Sequence, residues 1–385
     1  MLKQELLYRV YLIFAMFALA LCGCFAMLLN DSEANGGGII FYITYMVLFP
    51  GLVSYLTLRL THRPPAVIIW MNVLFIWMIL ISFIINQTNI FISIYLSLNT
   101  LIAQATLCVA YGYASRNGYS KSIILGALIM QLILSVQYGH IFQIANEGSE
   151  AHLITAYYPM FLLPLILTHP SKIIRYTSIL LITIIIFSSV KRGGLVALSA
   201  GLFVYVLCAA HNRKKGMKAI LYTLFALGIL GIIFYAIGSS EYGTVIERLS
   251  SIRDDEGSGR LDVWGTTWYM IQNSDRLSYI LGHGINAVLR DSPLFLSAHN
   301  DFLEAWYDYG LIGFILYILT LLSLSLYTLR LLLKKSPIAP SMAMLVTIMV
   351  TLTMISHVLI YYFMTLCCLT IGLLTGADTY NEHNK

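Results

Sequence analysis

Residues 66–85 read AVIIWMNVLFIWMILISFII, with no charged side chain among them. About 20 residues of this kind cross the roughly 30 Å of hydrocarbon in a bilayer. Backbone groups in lipid must find partners within their own segment, so an uninterrupted run of this length is read as a helix. A barrel strand would instead alternate over about 10 residues. Working outward, similar runs recur near 10–29, 39–58, 90–113, 122–137, 153–168, 176–191, 194–210, 219–238 and 310–333. The apolar stretch 341–377 is too long for one crossing and suits two short helices meeting near Ser356–His357. The expectation is an all-α integral membrane protein of about twelve transmembrane helices, with residues 1–385 forming a single polytopic domain.

Composition agrees with that reading. The 385 residues are 59% hydrophobic and 11% charged, with a mean hydropathy of +0.80, whereas soluble domains carry roughly 25% charged residues. The net charge of +5 is no nucleic-acid signal, because the basic residues are scattered among helix-flanking loops. The first span is long and lacks a small-residue cleavage pattern after it, so it is expected to remain as an anchor. Cys22, Cys24, Cys108, Cys208, Cys367 and Cys368 all fall in apolar runs. They read as small buried side chains, not as a disulfide framework or zinc set.

The positive-inside rule orients the helices. With the N-terminus in the cytoplasm, only Lys191, Arg192, Arg248, Arg253, Arg260, Arg276 and Arg290 of the 23 Lys and Arg lie outside, and only Glu5, Asp378 and Glu382 of the 18 acidic residues lie inside. The C-terminus is then also cytoplasmic. One long external loop, 239–309, holds five of the outside cations; a segment of that length is more than a connector.

Four stretches have side chains suited to chemistry. Ser188-Ser189-Val190-Lys191-Arg192-Gly193-Gly194 places two cations at the outer membrane surface, beside glycines that permit close backbone approach. Snorkelling anchors would also explain the cations, but the pair breaks an otherwise clean charge bias. Asp254-Asp255-Glu256-Gly257-Ser258-Gly259-Arg260-Leu261-Asp262 offers an arginine able to grip a phosphate and an acidic run that reads more simply as a solvated turn. Leu281-Gly282-His283-Gly284 suits a tight turn. Finally, His299-Asn300-Asp301-Phe302-Leu303-Glu304-Ala305-Trp306-Tyr307-Asp308-Tyr309-Gly310-Leu311-Ile312-Gly313 sits where the loop re-enters the membrane. A neutral imidazole there can act as a base, and on a helix Asp301, Glu304 and Asp308 would share a face.

His299-Asn300, nine residues, then Gly310-Leu311-Ile312-Gly313 resembles the signature of the O-antigen ligase and polymerase family. Lys191-Arg192-Gly193-Gly194 looks like that family's Arg-Gly element, and Ser258-Gly259-Arg260 is similar to the arginine element of its large periplasmic loop. The resemblance covers about residues 185–335; before that only the hydropathy pattern is similar. It implies a GT-C-like, inverting, metal-independent glycosyltransferase of the bacterial inner membrane, with no cofactor and an active site on the periplasmic face. The donor would be a glycan on undecaprenyl diphosphate, and the acceptor a lipid-linked repeat unit or lipid A-core. By the same resemblance His299 is the catalytic base, Arg192 and Arg260 bind the diphosphate with help from Lys191, and Asn300, Gly310 and Gly313 support the site.

A repeat-unit polymerase for O-antigen or capsule is favoured over an O-antigen ligase because the chain is short and its external loop modest. Against this, an arginine-x10-glycine pattern of some polymerases is missing, since Phe203 and Ile271 occupy the required positions. A transporter or flippase would need ionisable groups near the middle of the spans, where the chain has Asn72, Asn99, Gln104 and Gln131 instead. A non-catalytic partner in polysaccharide export would have no use for the grouped arginines and histidine.

Overall fold

The computed structural model describes residues 2–28, 38–58, 63–85, 90–118, 120–146, 153–189, 191–213, 259–359 and 362–383. The helix expected at 219–238, the first part of the long loop and the acidic run Asp254–Glu256 lie outside the described residues, so the count of twelve spans is not tested. Among the described residues all regular structure is helical. Seven helices among the described residues are long and apolar enough to cross a membrane.

The first five helices are α1 (Leu2–Ala26), α2 (Gly38–Leu58), α3 (Ala66–Ile85), α4 (Ile90–Asn117) and α5 (Lys121–Asn146). The expected helix at 153–168 is instead three short pieces, a 3-10 turn (Leu153–Ala156), α6 (Tyr157–Met160) and α7 (Leu163–Ile166). Pro159 and Pro164 remove backbone donors there. A broken segment in an apolar setting survives only inside protein, with its polar groups satisfied. The segment is fully buried, and Gln131 Nε2 donates to Pro159 O at 3.2 Å while Thr370 Oγ1 donates to Phe161 O at 2.9 Å. Gln131 Oε1 also accepts from Ser178 Oγ at 2.6 Å, so this intramembrane amide is a brace between helices.

Next come α8 (Lys172–Ser188) and α9 (Arg192–Arg213), then three short helices before the membrane is re-entered: α10 (Arg260–Gln272), α11 (Arg276–Leu281) and α12 (Ala287–Asp291). The last three are α13 (Asp301–Leu333), α14 (Ala339–Ile355) and α15 (Phe363–His383). The two-helix reading of the final apolar stretch therefore holds, with Ser356 and His357 at the break.

Helix α15 is the centre of the bundle: 89% of its apolar stretch is buried. Gly372 and Gly376 lie one turn apart and bring its backbone onto α4. A methyl at Gly372 would sit 2.8 Å from Leu107 O, and one at Gly376 2.8 Å from Tyr111 O. This is the small-residue spacing by which membrane helices approach closely.

Helix α13 begins at Asp301, ahead of the apolar run 310–333, and has 33 residues. At 1.5 Å per residue its 33 residues amount to about 50 Å of helix, more than roughly 30 Å of hydrocarbon requires. Gly310 separates the two parts with φ 72° and ψ −179°. Only glycine holds that conformation readily. Gly282, at φ 95° and ψ 179°, faces it. A methyl on Gly310 would lie 2.2 Å from Ile280 O, and one on Gly282 2.3 Å from Asp308 O. Three carbonyls beside the break accept from other elements: Tyr307 O from His283 N at 3.0 Å, Asp308 O from Gly284 N at 2.8 Å, and Tyr309 O from Trp77 Nε1 at 2.9 Å. The first glycine of the Gly-x-x-Gly pair thus lets the external segment lie against α13.

Gly310→Ala is expected to cost more than the roughly 1–3 kcal/mol of backbone strain alone, because the methyl also meets backbone. Gly265→Ala in α10, where nothing lies within 4 Å of the added methyl, should be neutral or stabilising. Thermal unfolding of the two purified variants checks the contrast; equal midpoints would contradict it.

Candidate functional site

The first turns of α13 organise the site. Asn300 starts the helix, its Oδ1 accepting from Phe302 N at 3.0 Å and Leu303 N at 3.4 Å. This is an N-cap, the usual place for asparagine. His299 precedes it, half-buried and in the left-handed region at φ 51°.

Asp301, Glu304 and Asp308 do share one face, and all three are buried, at 0%, 1% and 0% exposure. Each holds a different piece of chain. Asp301 accepts from Val358 N and Leu359 N, 3.0 and 3.3 Å from Oδ2, and from Tyr317 Oη at 3.1 Å and Thr353 Oγ1 at 3.3 Å. It therefore ties down the break after α14. Glu304 Oε1 accepts from Ala298 N at 2.8 Å, and Oε2 lies 3.0 Å from His357 Nδ1. Asp308 Oδ1 accepts from Val288 N at 3.0 Å and so holds the first turn of α12. The several donors on Asp301 and Glu304 make their burial tolerable, whereas Asp308 Oδ2 has no hydrogen-bond partner among the described residues.

Asp301, Glu304 and His357 also have ligand atoms within 4.8 Å of one another, a spacing at which a metal ion could be held. An ion there would compete with the donors on Asp301, and His357 could ligate through Nε2 while its Nδ1 stays on Glu304.

A small outer core fixes the short helices. Trp306 of α13 meets Trp268 of α10 and Tyr279 of α11, each at 5.6 Å between ring centroids, and stacks on Phe314 at 4.7 Å. His283 belongs to this scaffold: its ring stacks on Tyr307 at 4.0 Å and its Nδ1 lies 3.1 Å from Tyr307 O. Arg290 is engaged by Asp291 at 2.7 Å, which raises its pKa above the usual arginine value.

Arg260 is the first residue of α10, after Gly259 at φ 72°, and is half-buried. Arg192 likewise opens α9; its backbone alone is described. Lys191 is exposed, and its carbonyl accepts from Gly194 N at 3.0 Å. A cation at the positive end of a helix is disfavoured by about 0.3–1 kcal/mol, and an anion there is favoured. Two helices opening on arginine suit a shared anionic partner.

Tyr157 of α6 connects these elements. Its hydroxyl lies beside the start of α9, 3.4 Å from where a methyl at Gly193 would be, and the charge of Arg260 is near enough to act on it. A methyl at Gly194 would come within 2.5 Å of the Tyr157 ring, and one at Gly193 within 2.9 Å of Ile355, the last residue of α14. Ile355 lies two residues before His357, whose ring is 4.5 Å from that of His299. Lys191–Gly194 and His299 are thus connected through Tyr157, Ile355 and His357, three residues outside the motifs, while Arg260 is tied to them only by its charge acting on Tyr157. Only His357 had a sequence signal, as an ionisable group within a long apolar stretch.

Residues 177–318 match the family model described as O-antigen ligase. The match makes this stretch similar to that family. It contains Lys191–Gly194, Arg260 and His299–Gly313 and ends before His357. No match to a curated protein was found.

Asp301→Ala would leave the Val358 and Leu359 N–H groups buried without their acceptor, at about 1–3 kcal/mol each. Tyr317→Phe removes a single donor and should cost about 1 kcal/mol. Folded yield and unfolding midpoint in detergent should rank wild type, Tyr317→Phe, then Asp301→Ala; an unchanged Asp301→Ala would remove its structural role.

Proposed function

We propose that the chain is an inverting, metal-independent glycosyltransferase of the bacterial inner membrane. It moves a glycan from undecaprenyl diphosphate to an acceptor hydroxyl at the periplasmic face. The observation carrying this reading is the family match over 177–318, which spans every motif with suitable chemistry. The connected neighbourhood of Lys191–Gly194 and His299, with the charge of Arg260 acting on Tyr157, supports it.

In this reading His299 accepts the proton of the acceptor hydroxyl as its oxygen attacks the anomeric carbon. The bond from that carbon to the diphosphate breaks, and the lipid diphosphate leaves with the electron pair. Arg192 and Arg260, with Lys191, neutralise its growing charge from fixed positions at two helix starts. Asn300 and the glycines of Gly310-Leu311-Ile312-Gly313 hold His299 at the membrane surface. The favoured acceptor is the next lipid-linked repeat unit, which makes the chain an O-antigen or capsule polymerase. Transfer to lipid A-core is the second reading, favoured by the ligase description of the matched family. The match lends nothing to a transporter or flippase.

His299→Ala should accumulate in membranes at the wild-type level while glycan product falls at least about 100-fold. Arg260→Ala and Arg192→Ala should each lower it about 100- to 1,000-fold. Immunoblots of membranes beside glycan gels read both quantities. Normal product from all three variants would overturn the proposal.

A further inference from the structure

His299 has a second imidazole as its neighbour. The rings of His299 and His357 are 4.5 Å apart between centroids and tilted by 41°. His357 is 1% exposed, and its Nδ1 lies 3.0 Å from Glu304 Oε2. An ionised carboxylate only accepts, so Nδ1 carries the proton and, in the neutral ring, Nε2 carries the lone pair. The other oxygen of Glu304 accepts from Ala298 N at 2.8 Å, immediately before His299. One buried carboxylate therefore fixes both the backbone on which His299 is mounted and the tautomer of the ring against it. A buried ion-pairing set is a poor way to gain stability alone, since apolar residues of similar volume do as well or better. A base whose neighbour is oriented by a third group is, by contrast, a recurring catalytic arrangement.

We propose that Glu304 and His357 are positioning residues for His299, with Glu304 holding His357 in its Nδ1–H tautomer and His357 holding the His299 ring at the angle needed for attack. The contribution to turnover rests on the glycan-transfer reading; the coupling of the three side chains does not. His357 joins the site from the break between α14 and α15, beyond the stretch matched by the family model.

Two variants separate positioning from simple bracing. Glu304→Gln keeps an acceptor for Ala298 N but presents an amide N–H to His357, which moves the ring proton to Nε2. His357→Asn keeps a donor for Glu304 and removes the ring beside His299. The substrate-free protein, labelled with 15N-histidine and held in lipid nanodiscs, should show His357 protonated at Nδ1 in the wild type and at Nε2 in Glu304→Gln. The His299 signals should shift in both variants. Unmoved His299 signals would overturn the coupling, and a metal-bound His357 shift in the wild type would replace it with a metal centre.

With an undecaprenyl-diphosphate-linked glycan, both variants should keep the wild-type KM for donor while kcat falls at least about 10-fold. Folded variants with wild-type kcat would overturn the positioning role in turnover. A wild type that transfers nothing would count against the glycosyltransferase reading alone, because the spectra decide the coupling without turnover.

Discussion

The architecture around α13 depends on one feature: three acidic side chains on a single buried face each hold a different piece of chain. Asp301 draws in the chain after α14, Glu304 draws in Ala298 and His357, and Asp308 draws in the start of α12. Leaving any of them unpaired away from water would be costly. The loop segments therefore close over α13 in one arrangement, with His299 mounted beside its first turn.

The same helix carries the site. It is longer than the hydrocarbon requires, and Gly310 breaks it where the external scaffold lies against its backbone. Helices α9 and α10 both open on arginine, and Tyr157 packs against the start of α9. Fixed positive charge, helix N-termini and an imidazole are what a transfer from a lipid diphosphate would need, because the leaving group's charge grows where the lipid meets water.

Much of the fold was legible in the sequence because lipid imposes a simple rule: long apolar runs become helices. The rule found α3 and the two helices joined at Ser356–His357. It failed for 153–168, where Pro159 and Pro164 break the helix and Gln131 and Thr370 complete its backbone bonding. The shared face of Asp301, Glu304 and Asp308 was legible from helical spacing, but not that all three are buried. The motifs gave Lys191–Gly194, Arg260 and His299 but not what joins them. Tyr157 and Ile355 are ordinary apolar-run residues, and the pairing of Glu304 with His357 spans 53 positions; no local pattern encodes such a contact.

The central claim is that this chain itself transfers a lipid-linked glycan. The most direct measurement is incubation of the purified wild type, with chelator present, with an undecaprenyl-diphosphate-linked repeat unit, with and without lipid A-core. The account predicts a ladder of longer glycans from the lipid-linked unit alone. Transfer only when lipid A-core is added would keep the enzyme and change its acceptor. Folded protein that gives no product under either condition would contradict the account.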